Sequence, residues 1–156
     1  MKKYLKLFLG FIIFVGCSNH ELVRSKKDIV VKVNYLPFPI ETYVPVTMSN
    51  IGTMQPKEIY LTKEEVNNIY EVFQRVSPIP IFDYGAVRLK IAIPNKKEIY
   101  IEQTGVVLNG EEVEKINIEG LKKLEKIFNI DLDSNMASKL GLLGGTKKKT
   151  VVNYYE

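Results

Sequence analysis

Residues 86–116 read AVRLKIAIPNKKEIYIEQTGVVLNGEEVEKI, and the fold class turns on this stretch. Over 87–93 apolar residues alternate with others, the period of a strand that turns one face to a core. Alternation sets Val87, Leu89, Ile91 and Ile93 on one face and Arg88 and Lys90 on the other. PNKK at 94–97 predicts a turn, and EIYIE resumes the alternation with Ile99 and Ile101 opposite Tyr100 and Glu102. Gly105 allows another turn, VVL at 106–108 predicts a short strand, and Asn109-Gly110 favours a type I′ hairpin before EEVEKI. Strands joined by such short turns pair antiparallel. The expectation is one antiparallel meander with a face built to be covered.

Two amphipathic helices are expected to cover it. In the first, at 62–76, Thr62 and Glu65 form a capping box, and Val66, Ile69, Tyr70 and Phe73 recur at helical spacing while Glu64, Glu65 and Asn68 stay polar. It should end near Val76, because Pro78 disfavours helix in the residue before it. In the second, at 118–129, Leu121, Leu124, Ile127 and Phe128 make the apolar stripe. Upstream, DIVVKVNY at 28–35 and the stretch 57–61 read as strands. Between them Pro37, Pro39 and Pro45 remove ladder donors, so a strand at 43–49 should be an edge or be bulged. At 131–141 a short helix capped by Ser134 is expected. Gly141, Gly144 and Gly145 with Lys147, Lys148 and Lys149 read as a flexible exit, and TVVNYYE at 150–156 as a last strand or a loose tail. The fold class is therefore α+β: one antiparallel sheet packed by two amphipathic helices in a globular domain at 28–133, with 134–156 as short helix and tail.

The 156 residues and a 46% apolar, 26% charged composition suit one globular domain, and exclude collagen-like, coiled-coil and wholly disordered chains. One Cys and one His cannot build a tetrahedral structural zinc site, so no metal or cofactor is expected. The net charge of +4 is uneven: Lys2, Lys3 and Lys6 lie in residues 1–16, and without 1–16 and 134–156 the body has 15 basic against 17 acidic groups. A mildly acidic body argues against nucleic acid, which is bound by concentrated positive charge.

Residues 1–17, MKKYLKLFLGFIIFVGC, place a cationic start before an apolar run from Leu7 to Val15, then Gly16 and Cys17. This is the layout of a secretory signal peptide, and the run is about half the ~20 residues a membrane-crossing helix needs. The segment Phe14-Val15-Gly16-Cys17 resembles the lipobox of bacterial lipoproteins. The resemblance covers residues 1–17 alone. It implies that 1–16 is removed, that the Cys17 thiol is acylated with chains such as palmitate, and that the protein is anchored to membrane lipid through Cys17. Ser18 after the Cys implies the periplasmic face of the outer membrane in a Gram-negative organism; a Gram-positive origin implies the outer face of the cell membrane. Residues 17–27 then form a lipidated tether, and His20 falls inside it.

Enzymatic motifs are sparse. The only His lies in the tether, and no nucleophile elbow, P-loop, dinucleotide fingerprint, zincin or EF-hand pattern occurs. Paired acids are the remaining route, because two carboxylates suffice for glycoside hydrolysis. The candidates are Glu111, Glu112 and Glu114 at the hairpin, Glu64 and Glu65 at the helix start, and Asp131 with Asp133. All suit solvated surface positions, so no catalytic residue is expected.

Two Pro-aromatic segments are more informative. Tyr35, Phe38 and Tyr43 surround Pro37 and Pro39, and Phe82 and Tyr84 follow Pro78 and Pro80. Proline limits the entropy lost on binding and aromatics supply contact area, although the same aromatics can pack under their own loops. These five are the candidate partner-binding residues. The chain reads as a cell-envelope lipoprotein that binds an unidentified protein partner without catalysis. Two alternatives stay open: an inhibitor or immunity-type lipoprotein that neutralises a toxin or hydrolase, using the acidic strip Glu111, Glu112 and Glu114, and a carboxylate-based cell-wall hydrolase.

Overall fold

Strand pairing runs through the described residues, 29–143 of the computed structural model, as one antiparallel sheet. Its strands are β1 (Ile29–Tyr35), β2 (Lys57–Leu61), β3 (Phe73–Gln74), β4 (Val87–Ala92), β5 (Ile99–Glu102), β6 (Val106–Asn109) and β7 (Glu112–Ile116), in the spatial order β2-β1-β4-β5-β6-β7-β3. The helices are α1 (Met48–Thr53), α2 (Lys63–Tyr70), α3 (Ile118–Phe128) and α4 (Ser134–Lys139). The α+β class and the β4 to β7 meander are as the alternation predicts.

One face carries the larger core. Val31, Val33, Leu89, Ile91, Ile99, Ile101 and Val107 pack with Val66 and Ile69 of α2 and Leu121, Leu124 and Phe128 of α3. The packing extends past Asp133, since Ser134, Ala137 and Leu143 are also buried. The opposite face is covered as well, by a smaller cluster of Val46, Ile51, Phe82, Val87, Tyr100 and Val106. The alternation did not foresee this second layer, nor the burial of Tyr100 and Glu102 on it.

Val87 changes face. It is paired with Glu102 while Leu89 is paired with Ile101, so β4 spends one more residue than β5 across this step. Such a bulge shifts the side-chain alternation by one. Val87 therefore joins Tyr100 in the smaller cluster rather than Leu89 in the larger one, and Arg88 becomes the extra residue.

Four further expectations are corrected. The first amphipathic helix stops at Tyr70 instead of running to 76, and Phe73–Gln74 instead pairs with β7. The capping box at Thr62 and Glu65 is present, but Phe73 reaches the core from a strand, because β7 offers unpaired backbone groups that a longer helix would leave open. In the proline-rich segment no strand forms over 43–49. Val46 makes a single bridge to Ala86, and Thr47 caps the N-terminus of α1 by accepting from Asn50 N–H, which buries Ile51. At the β6–β7 hairpin, Asn109 pairs with Glu112, so the two-residue loop is Gly110-Glu111. Only Gly110 has positive φ, at 65°, which is the type II′ requirement rather than the type I′ one.

Helix α4 forms, but Ser134 is not its cap. Asp133 occupies the cap position with φ 56° and makes no capping bond with its side chain. Glu125 of α3 supplies the acceptor, taking hydrogen bonds from the N–H of Leu132 and Ser134 and from the Ser134 hydroxyl.

These pairings separate two ends of the sheet. At one lie Ile29, Leu61 and the β6–β7 hairpin. At the other lie Tyr35, Val87, Glu102 and Ile116, with the loops at 36–47, 80–86, 103–105 and 140–143 gathered around them.

Candidate binding site

The five aromatics expected to bind a partner divide between core and surface. Phe38 is fully buried in the larger core, and Phe82 is buried in the smaller one. Tyr35 is half-buried against the larger core. Tyr43 and Tyr84 are exposed. Tyr84 stacks edge-on against Phe82 with ring centroids 5.1 Å apart, so Phe82 acts as a buried support for an exposed neighbour.

Backbone bonds fix both loops to the sheet end. Val46 N–H donates to Gly85 carbonyl at 3.0 Å and Val87 N–H to Val46 carbonyl at 2.8 Å, which ties the 36–47 loop to the 80–86 loop. The Gln103 side chain donates to Phe38 carbonyl at 3.1 Å, and Arg88 donates to Ile40 carbonyl at 3.0 Å.

Beside Tyr84 lies a groove of about 810 Å³. Its walls are Pro80 to Gly85 on one side and Leu140 to Leu142 on the other, and Glu102, Thr104, Val106 and Lys115 complete it. Its lining is mainly apolar, and Ile81, Tyr84 and Leu140 stand exposed around it. Ile81, Leu140 and Leu142 were not singled out from the sequence. The available signal was Ile79 and Ile81 alternating with Pro78 and Pro80, apolar residues in a stretch with no regular element to bury them.

Charge near the groove is mostly committed. Glu102 is buried, and its carboxylate accepts from Thr104 N–H at 3.0 Å, Val106 N–H at 3.1 Å and the Thr104 hydroxyl. Arg88 is buried too. It donates to the carbonyls of Val87 and Ile40, while its Nε has no hydrogen-bond partner. Burial lowers the Arg88 pKa, and the charges of Glu102 and Asp83 oppose that shift. A second cluster lies behind α1. Lys90 Nζ is 2.7 Å from Glu98, the Tyr100 hydroxyl donates to the same carboxylate, and Lys90 lies 5.6 Å from the Tyr100 ring centre. The hydrogen bonds from Lys90 and Tyr100 lower the Glu98 pKa. Burial, then the bond to Glu98, raises that of Tyr100.

Five of the seven candidate acids are engaged by neighbouring groups. Glu65 serves the capping box, Asp131 accepts from Asp133 N–H, Glu112 pairs with Arg75 at 2.9 Å, and Glu111 lies 3.5 Å from Lys97. Glu114 accepts from the Asn109 side chain at 3.4 Å. Among the described residues no group of three or more His, Cys, Asp or Glu is placed to hold a metal, and no helix is long and apolar enough to cross a membrane. Cys17, His20, the leader and the 150–156 segment lie outside the described residues.

Comparison of the chain with protein-family models, curated proteins and solved structures found no significant match.

Proposed function

We propose that this chain is a cell-envelope lipoprotein, anchored through acylated Cys17, that binds a protein partner with the apolar end of its sheet. The observation that carries the reading is where most of the exposed apolar side chains fall. Among the described residues Ile40, Tyr43, Val44, Ile81, Tyr84 and Leu140 belong to the loops at the Tyr35 end, while Tyr60, Ile79 and Met136 are exposed outside these loops. Single exposed apolar residues are ordinary, whereas a cluster marks a contact site. Pro39, Pro45 and Pro80 lie in these loops and limit the entropy lost when they are ordered against a partner. β1 begins at the other end of the sheet, so a tether joined there leaves the apolar end free to face away from the bilayer.

Crosslinking capture from the native cells tests the partner. The lipidated protein should retain a stoichiometric partner that an Ile81→Asp, Tyr84→Ala variant loses, and equal capture by both overturns the reading. Anchoring is tested separately, since Cys17→Ala should abolish palmitate incorporation and labelling that survives the change overturns it.

A further inference from the structure

The sheet ends in two unlike edges. β3 is two residues long, and Pro78 and Pro80 follow it, which lack the N–H a further strand would need. β2 is five residues long, contains no proline and keeps one register along its whole pairing with β1. The ladder tells which of its backbone groups face outward. Leu36 N–H donates to the Arg88 carbonyl, so even-numbered residues of β1 turn their backbone groups to β4 and odd-numbered ones to β2. Ile29, Val31 and Val33 therefore bond to Leu61, Ile59 and Lys57, and the N–H and carbonyl groups of Glu58 and Tyr60 point away from the sheet. Among the described residues these outward groups have no backbone partner. We propose that a second copy of this chain pairs here, β2 against β2 and antiparallel, about a two-fold axis at Ile59. Glu58 of each copy then exchanges both backbone bonds with Tyr60 of the other, and every outward group is satisfied. The edge runs along the side of the sheet, away from the loops at the Tyr35 end, so the inference does not rest on the partner-binding reading.

Flanking residues fix the length and the register. Pro56 has no N–H to give. At the other end the Thr62 N–H donates to the Glu65 carboxylate and the Thr62 carbonyl accepts from Val66 N–H, so the free edge stops there. Moving the axis to Glu58 would set that carboxylate directly against its own copy, which is a repulsive pair, and would face the Tyr60 carbonyl with a proline. Moving it to Tyr60 would face Glu58 with Thr62, whose backbone groups are already taken. The axis at Ile59 avoids both faults.

Side chains on the edge accept the contact. Tyr60 is 57% exposed and Ile59 is half-buried against the larger core, so pairing covers apolar surface on both faces of the sheet. Charged side chains ordinarily guard an edge, but here they are answered within each chain: Glu58 lies 3.2 Å from Lys32, and the Lys57 ammonium donates to the Asn129 carbonyl. α2 carries the chain from β2 across the core face to β3 on the far edge, which keeps it off the outer side of β2. Five residues a side is far below the roughly 20–30 of a stable interface, so the pairing is weak and trapping is the way to read it.

The test is disulfide trapping of the full-length protein in intact cells, oxidised with copper phenanthroline and read on non-reducing gels. Wild type, whose one thiol is Cys17, sets the background. Ile59→Cys should give a dimer above it, because opposed residues of a pair without hydrogen bonds stand about 4.5 Å apart at Cα, within the span of a disulfide. Glu58→Cys and Tyr60→Cys, carried on differently tagged copies, decide the register on exposed side chains that folding does not need. Their mixed dimer should exceed either self-linked dimer about fivefold, since opposed Cα atoms lie about 5.5 Å apart and diagonal ones about 7–8 Å. A mixed dimer no more abundant than the self-linked ones overturns the proposal, whatever Ile59→Cys gives. A linked species whose mass is not twice that of the chain also overturns it, because another protein's strand then occupies the edge. Tyr84→Cys, exposed at the far end of the sheet, should stay at the wild-type level, and equal linking there overturns the proposal by showing unspecific collision.

Discussion

Glu125 and Ser134 are joined by two hydrogen bonds, from the Ser134 N–H at 3.0 Å and from its hydroxyl at 2.6 Å, and the same carboxylate accepts the Leu132 N–H at 3.0 Å. One side chain on α3 thus satisfies the start of α4 and holds in place the helix whose C-terminal end walls the groove.

Glu125→Ala should cost about 2 kcal/mol, because three donors in a half-buried site lose a charged acceptor. Thermal unfolding should show a Tm lower by roughly 4–8 °C. Ser134→Ala removes only the hydroxyl bond and should cost about 1 kcal/mol. A Glu125→Ala protein with unchanged Tm would show that α4 is held by packing alone.

Glu102→Ala should be among the most destabilising changes to a polar residue, at about 3 kcal/mol, since it strands the N–H groups of Thr104 and Val106 and removes a countercharge to buried Arg88. Urea unfolding of Glu102→Gln should show a smaller loss, because the amide oxygen still accepts.

Two glycines with similar φ should respond differently to Ala. Gly105 has φ 83° and its Cβ would meet Leu143 Cδ2 at 2.5 Å and the Ile116 carbonyl oxygen at 2.8 Å. Gly141 has φ 68° and nothing within 4 Å. Gly141→Ala should therefore cost only the backbone strain, about 1 kcal/mol, and Gly105→Ala at least about 2–3 kcal/mol with displacement of Leu143. Denaturant midpoints of the two variants check the order.

The Glu98 carboxylate gives stability a defined acid limb. Its pKa is lower in the folded protein than the ordinary 4.5, so the unfolded chain binds more protons as pH falls from that value. The contribution is present above about pH 4.5 and is lost as pH drops through the folded value. Over that window the wild type should lose more stability than Glu98→Gln, as read from urea midpoints at a series of pH values. Parallel curves would show that the bonds from Lys90 and Tyr100 do not favour the ionised form.

What the sequence by itself determined was local. Period-two alternation at 89–93 and 99–102, the apolar stripe of α3 and the Thr62–Glu65 capping box depend on neighbours within a few residues, and all are present in the structure. Tyr35, Phe38, Tyr43, Phe82 and Tyr84 were legible only as aromatics beside prolines; that Tyr43 and Tyr84 are the exposed ones was not. Tertiary structure decided the rest, because the outcome depended on distant backbone or volume. β7 drew Phe73 out of a helix, a bulge opposite Glu102 moved Val87 to the other face, and Glu125 capped a helix nine residues away. Phe38 and Phe82 look alike in sequence, yet each fills space between elements far apart in the chain and is buried. The groove is the clearest case: its walls come from residues 80–85 and 140–142, and only the tertiary fold brings them together.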